Sequence, residues 1–174
     1  MTAPLRHLID VRQARVAVVG AGHVGLPLAV EIALAGFTTI AFDENPQKVR
    51  TINDGQSYVK DVPAASIAPL VRSGKLRAST DPDVLGTADV VAICVPTPLN
   101  KTRDPDNSFI VVATDLIVPR MGRQQLIVLE STTFPGFTRE VLLPKLSASG
   151  LKLDRDFFLA FSPERVDPGN TQYV

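Results

Sequence analysis

The chain has 174 residues, of which 45% are hydrophobic and 21% are charged, a composition typical of a globular protein with a sizeable core. Lysine plus arginine and aspartate plus glutamate number 18 each, so the charge gives no basis for nucleic acid or a membrane as a partner. The single cysteine, Cys94, excludes an intrachain disulfide and favours a cytoplasmic location. Residues 1–15 mix charged and apolar side chains, unlike a signal peptide.

Apolar periodicity predicts strands that alternate with helices along the chain. In chain order, the first half is expected to contain a strand at Arg15–Val19, a helix at residues 24–35, a strand at Thr38–Phe42, and helices at Pro46–Asn53 and Ala64–Arg72. The second half is expected to contain a strand at residues 88–95, a helix at residues 110–120, a strand at Gln125–Leu129, a helix at residues 138–147 and a strand at Phe157–Phe161. This alternation predicts the α/β class with a doubly wound parallel sheet, formed by residues 15–174 after an N-terminal leader at residues 1–14.

The segment after the first predicted strand has the pattern G-x-G-x-x-G, with its glycines at Gly20, Gly22 and Gly25. Between a strand and a helix, this pattern is typical of dinucleotide binding in Rossmann-type domains. The first glycine allows a tight turn, the second lets the backbone approach a pyrophosphate, and the third lets the helix pack close to the strand. Free N–H groups at the start of the helix would bind the phosphates. The alternative is a glycine-rich turn without a ligand.

Asp43 ends the second predicted strand, close to the offset expected for the acid that binds a ribose hydroxyl. A carboxylate at this position repels a 2′-phosphate, which favours NAD over NADP. Lys48 and Arg50 lie near enough in sequence to weaken that preference. The alternative is that Asp43 is a turn or helix-capping residue before Pro46.

Three further motifs follow predicted strands: ICVPTPLN at residues 93–100, ESTTFPG at residues 130–136 and FSPERVDPGN at residues 161–170. Ligands bind at the carboxyl ends of the strands in doubly wound sheets. With the glycine turn, these motifs resemble the UDP-glucose and GDP-mannose dehydrogenase family over about residues 16–170. Within that family they look most like UDP-N-acetylglucosamine 6-dehydrogenases of surface-polysaccharide synthesis, with UDP-N-acetylmannosamine and UDP-glucose 6-dehydrogenases as alternatives.

The resemblance implies an enzyme that oxidises the C6 alcohol of a UDP-sugar to a carboxylate in two successive steps, each consuming NAD. It implies NAD contacts, besides the three glycines, at His23, Val24, Asp43, Lys48, Pro96, Thr97 and Thr132. His23 is a departure, since an aromatic residue such as tyrosine is usual there. The resemblance also implies that Glu164 acts as a general base near the sugar and a catalytic water, with Thr132 beside that water and Arg165 on the substrate side.

Each of these residues also has a purely structural interpretation. Thr97 lies between two prolines and could have no role other than to end a strand. Residues 131–133 could form a cap for the helix expected near Pro135. Glu164 could pair with Arg165 on the surface. Cys94 lies within an apolar strand, so we expect a buried structural residue and not a nucleophile.

The resemblance implies that the catalytic cysteine belongs to a C-terminal domain and the catalytic lysine to a central helical region, neither of which lies within residues 1–174. We therefore expect this chain to bind NAD as a monomer without turning over UDP-sugar, while the complete enzyme would be a homo-oligomer. Two alternatives remain at this point. One is a 6-phosphogluconate or 3-hydroxyacid type of dehydrogenase, and the other is a stand-alone, non-catalytic NAD-sensing module.

Overall fold

The computed structural model describes residues 4–99 and 105–163. This part of the chain contains the strands β1 (Arg15–Val19), β2 (Thr38–Phe42), β3 (Leu76–Ser79), β4 (Val90–Ile93), β5 (Gln125–Leu129) and β6 (Phe157–Phe161). Its α-helices are α1 (Leu5–Asp10), α2 (Gly25–Leu34), α3 (Pro46–Asn53), α4 (Ala64–Arg72), α5 (Ser108–Ile117) and α6 (Leu143–Ser147). The strands form one parallel sheet in the order β3-β2-β1-β4-β5-β6, which confirms the predicted α/β, doubly wound fold.

The position of β1 in the sheet determines where a ligand site can form. β1 pairs with β2 on one side, with Arg15 opposite Thr38, and with β4 on the other, with Val16 opposite Val90. The chain therefore winds outward in one direction from β1 to β3 and in the other from β4 to β6. A crevice opens at the carboxyl ends of the strands where this reversal occurs. The loops after β1, β2, β4 and β5 converge there.

The sheet separates two apolar layers, and alternate residues of each central strand pack into opposite layers. In β1, Val16 and Val18 pack into the layer that contains α2 and α4, whereas Ala17 and Val19 pack into the layer that contains α5. Because both faces are covered, these strands are continuously apolar. Burial on both faces explains why the sequence of these strands shows short runs of β-branched residues. Within the described part of the chain, no helix combines the length and apolarity needed to cross a bilayer.

Three elements were not expected from the sequence, and one of them is a 3₁₀ helix at Pro82–Thr87. β3 is a four-residue edge strand in which Leu76 and Ala78 are buried while Arg77 is exposed. The strand is short and contains the charged residue Arg77, so its sequence shows little apolar periodicity. α1 falls within residues 1–14, which were expected only to form a leader, and its Leu5 is buried.

Four predicted elements differ in extent from the observed ones. The expected helix at residues 24–35 is one residue shorter at each end, at Gly25–Leu34. The expected strand at residues 88–95 is confined to β4, and the expected helix at residues 110–120 starts earlier, at Ser108. That helix changes to a 3₁₀ turn at Val118–Arg120, where a proline cannot donate to the helical ladder. The expected helix at residues 138–147 is a π turn, Thr138–Leu142, followed by α6, and Pro144 lies in the first turn of α6.

Candidate functional site

The glycine turn connects β1 to α2, and its three glycines have different surroundings. Gly20 has φ +94°, and a Cβ there would lie 2.9 Å from the Cys94 carbonyl oxygen. A Cβ at Gly25 would overlap the Gly20 carbonyl oxygen and lie 3.2 Å from the Cys94 Cβ. A Cβ at Gly22 would meet no atom within 4 Å. Gly20 and Gly25 are therefore required by packing, whereas Gly22 leaves open space in front of the backbone.

The start of α2 offers backbone donors that the protein does not use. Gly20 N–H donates to the Phe42 carbonyl at 2.8 Å, and Ala21 N–H donates to Asp43 Oδ2 at 2.9 Å. No side chain caps the helix. Within residues 4–99 and 105–163, the N–H groups of Gly22, His23 and Val24 donate to no protein acceptor. These groups and the positive end of the helix dipole are suited to an anion such as a phosphate.

Asp43 lies at the carboxyl end of β2 and organises the mouth of the crevice. Besides Ala21 N–H, its carboxylate accepts from Asn45 N–H at 2.9 Å and from Lys48 Nζ at 2.9 Å. The helix cap is Asn45, whose Oδ1 accepts from the backbone of α3. Asp43 therefore forms a turn but does not cap the helix. Arg50 points elsewhere, since its guanidinium donates to Gln47 at 3.1 Å.

Two adjoining cavities open along this edge of the sheet. The larger, of about 550 Å³, is lined by Gly20, Gly22, His23, Val24, Asp43, Lys48, Cys94, Val95, Pro96, Thr97, Glu130, Ser131 and Thr132. The smaller, of about 210 Å³, is mainly apolar and is lined by Val19, Gly20, Phe42, Asp43, Glu44, Lys48, Val95, Pro96, Phe109, Val112, Ala113 and Leu116. Both contain Gly20, Asp43 and Lys48. A single elongated ligand with a polar middle and an apolar end would match this shape.

The larger cavity brings together the sequence-predicted residues that the structure describes, except Gly25, which packs behind the turn. Glu164 and Arg165 lie outside the described residues. Thr132 is exposed in the cavity wall. Its neighbour Ser131 is buried and donates to the Val95 carbonyl at 2.7 Å, which joins the loops that follow β4 and β5.

The helix-cap interpretation of residues 131–133 is not observed. Thr133 Oγ1 donates to Asn107 Oδ1 at 3.0 Å, and the next helical turn begins at Thr138 without a side-chain cap. Cys94 is buried, with 6% exposure, as expected for a structural residue. No group of three or more potential metal ligands occurs in the described part of the chain.

Two features of the site were missed by sequence reasoning. Tyr58, in the loop between α3 and α4, donates its hydroxyl to the Ala21 carbonyl at 2.5 Å. Burial and, secondarily, the Asp43 carboxylate raise the pKa of Tyr58 above the usual tyrosine range. Phe109 and Val112 of α5 are partly exposed where they line the smaller cavity. The only sequence signal for Tyr58 was that it is the one aromatic residue in this loop.

Residues 14–173 match the model of the "UDP-glucose/GDP-mannose dehydrogenase family, NAD binding domain". The chain is 34% identical over 163 residues to a UDP-N-acetyl-D-glucosamine 6-dehydrogenase of Pseudomonas aeruginosa, covering 93% of this chain and 38% of that protein. It is 33% identical over 156 residues to a UDP-N-acetyl-D-mannosamine dehydrogenase of Pyrococcus horikoshii, covering 89% and 37%.

The fold also matches a solved structure. The crystal structure of an NDP-N-acetyl-D-galactosaminuronic acid dehydrogenase from Methanosarcina mazei superposes with a TM-score of 0.85 at 30% identity. That match covers 97% of this chain and 38% of the other. The chain thus spans less than two fifths of the length of these relatives.

Proposed function

We propose, given that the chain belongs to the UDP-glucose/GDP-mannose dehydrogenase family through its NAD-binding domain, that it forms the cofactor-binding part of a UDP-sugar 6-dehydrogenase. The observation that carries this proposal is the double cavity around the glycine turn, with unused N–H donors at Gly22, His23 and Val24. When bound, NAD supplies the hydride acceptor for oxidation of an alcohol. The described residues bind, orient and select that cofactor.

The cavity residues suit the parts of a dinucleotide. The backbone of Gly22, His23 and Val24 would hold the pyrophosphate, because its donors are free and no Cβ blocks Gly22. Asp43, with its pair Lys48, would accept from the adenosine ribose and repel a 2′-phosphate, which favours NAD over NADP. The apolar end of the smaller cavity would take the adenine ring. Pro96, Thr97 and Thr132 would line the nicotinamide side.

The substrate side of the proposal rests on the family. Glu164 is proposed as a general base toward a catalytic water, with Thr132 near that water and Arg165 facing the sugar. UDP-N-acetylglucosamine is the proposed substrate, with UDP-N-acetylmannosamine and UDP-glucose as alternatives, since relatives named for different sugars match at similar identity. A cytoplasmic role in polysaccharide synthesis and a homo-oligomeric complete enzyme belong to the same proposal. We expect the 174-residue chain itself to sediment as an 18.7 kDa monomer.

Calorimetric titration of the purified chain with NAD and NADP tests the proposal. We expect saturable NAD binding, weaker NADP binding, and a loss of about tenfold or more in NAD affinity for Asp43→Ala, which removes a charged acceptor. Asp115→Ala is the matched control, because Asp115 pairs with Lys145 on the surface and does not line either cavity. Absence of NAD binding would contradict the proposal.

A second assay addresses turnover. We expect no NADH from NAD and UDP-N-acetylglucosamine with this chain alone, because its single cysteine is the buried Cys94. NADH formation that depends on the sugar would show that the 174 residues hold a complete active site and would overturn the expectation. NAD binding by the full gene product without any sugar oxidation would instead favour a sensing module.

A further inference from the structure

Tyr58 lies in the loop between α3 and α4, and the residues that flank it anchor the backbone of this loop. Its neighbour Val59 is buried in the core, as is Val62. Ser57 Oγ accepts from Val59 N–H at 3.1 Å and donates to the Val59 carbonyl at 3.0 Å, which forms a tight turn around Tyr58. These contacts constrain the backbone that carries Tyr58, a residue that is itself 37% exposed.

The Tyr58 hydroxyl and Asp43 fix the two peptide groups that flank Ala21. Asp43 accepts from Ala21 N–H at 2.9 Å, which holds the Gly20–Ala21 peptide. Tyr58 donates to the Ala21 carbonyl at 2.5 Å, which holds the Ala21–Gly22 peptide. No other side chain in the described residues bonds to either group.

The orientation of the second peptide determines where Gly22 N–H points. The described residues contain no cis peptide bond, and in a trans peptide the C=O and N–H groups point in opposite directions. A hydroxyl that holds the Ala21 carbonyl on one side thus directs Gly22 N–H to the other. Gly22 lines the larger cavity, and no protein group accepts from its N–H within the described residues.

We propose that Tyr58 is a positioning residue for cofactor binding, whose hydroxyl orients the Ala21–Gly22 peptide so that Gly22 N–H faces the pyrophosphate. This inference rests on the proposed NAD site and adds a residue to it. Tyr58 itself acts through the backbone and does not need to touch the cofactor. Preorganised donors bind a ligand without the cost of ordering the turn on binding.

The state of the phenol supports this role. Burial and the Asp43 carboxylate both disfavour the phenolate, so Tyr58 remains protonated throughout the physiological range and keeps its donor. A phenylalanine at this position would retain the ring and its packing while removing only the hydroxyl.

Calorimetry with Tyr58→Phe tests the proposal. We expect the Kd values for NAD and ADP-ribose to rise about fivefold, the equivalent of one ordinary hydrogen bond. We expect the Kd for adenosine, which has no pyrophosphate, to stay unchanged. Thr87→Val is the matched control, since it removes a similar hydroxyl-to-carbonyl bond of 2.7 Å to Val84, away from both cavities. Wild-type Kd values for NAD and ADP-ribose in Tyr58→Phe would overturn the proposal.

A measurement without ligand separates failure of this inference from failure of the proposed function. We expect the NMR amide signal of Gly22 to shift and its hydrogen exchange to accelerate in Tyr58→Phe, with no such change in Thr87→Val. Unchanged Gly22 signals would overturn the positioning role even if the wild type binds no NAD. A wild type that binds no NAD but shows the Gly22 change would refute the cofactor function while supporting the contact.

Discussion

Gly22 and Gly25 are three residues apart, yet a methyl group added at each would meet different surroundings. At Gly25 the methyl would overlap the Gly20 carbonyl oxygen, so α2 would have to move away from β1. At Gly22 it would enter the larger cavity without touching the protein. Substitution by alanine therefore tests packing at Gly25 and ligand binding at Gly22.

We expect Gly25→Ala to lower the free energy of unfolding by about 3 kcal/mol, the upper range for overpacking. We expect Gly22→Ala to change it by less than about 0.5 kcal/mol while weakening NAD binding at least tenfold, because the methyl fills the space in front of the backbone donors. Urea unfolding and calorimetry measure the two quantities. Gly122→Ala is the control, since a Cβ there also meets nothing within 4 Å but lies outside the cavities. Normal NAD binding by Gly22→Ala would contradict the assignment of the turn.

The sequence allowed the glycine turn to be predicted because every residue it needs is local. Gly20, Gly22 and Gly25 are read in one short window, flanked by an apolar strand and a helix. Tyr58 could not be found in this way. Its contact with Ala21 spans 37 residues and depends on the path of an irregular loop, for which periodicity gives no information.

Among the strands, too, those with a local apolar pattern were predicted, and the one that depends on a tertiary contact was not. β1, β2, β5 and β6 match their predicted bounds because each is a run of five residues in which apolar side chains predominate. β3 was missed because an edge strand of four residues needs only two buried side chains. Its existence follows from pairing with β2, which is a tertiary interaction.

β6 is the edge strand opposite β3 in the described sheet, and Asp156, which precedes it, connects its amino end to the rest of the fold. The carboxylate accepts from Arg155 at 2.6 Å, from Lys152 N–H at 3.0 Å and from Arg123 at 3.1 Å. The backbone carbonyl of Asp156 accepts from Gln124 N–H at 2.6 Å. Hydrogen bonding from Arg155 and then from the Lys152 backbone lowers the pKa of Asp156 to about 2.

This pKa predicts a loss of stability in acid. Because the folded pKa of Asp156 lies below the unfolded value of about 4, the ionised carboxylate stabilises the fold above that value, and the stabilisation is lost as the pH falls from about 4 toward 2. We expect Asp156→Asn to be less stable than the wild type at pH 7, with the difference shrinking below pH 4. Chemical unfolding at a series of pH values measures this. The neighbouring Asp154→Asn is the control, since asparagine tolerates the positive φ of residue 154. A wild-type to Asp156→Asn difference that stays constant down to pH 2 would contradict the prediction.

The site is assembled from loops that are far apart in the sequence. The turn after β1 lies against the Cys94 carbonyl after β4, and the loop after β5 is fastened to the loop after β4 by Ser131. Periodicity was sufficient for the fold class, a doubly wound parallel sheet, because the handedness of crossovers leaves few arrangements. It did not give the strand order, in which β3 is an edge strand. Nor could it supply the two cavities, whose shape depends on where these loops meet.

The pairing of β1 with β4 also has a consequence for the order of events in folding. Val16 and Val90 are neighbours in the sheet but lie 74 positions apart in the sequence, and such non-local contacts form slowly. Until β4 docks, the glycine turn has no surface to lie on. We expect NAD at about a hundred times its Kd to leave the refolding rate unchanged and to slow unfolding by up to about a hundredfold, as for a ligand that binds only after the rate-limiting step. Stopped-flow measurements with and without NAD test this. If the glycine turn formed before the rate-limiting step, NAD would accelerate refolding, which would contradict the prediction.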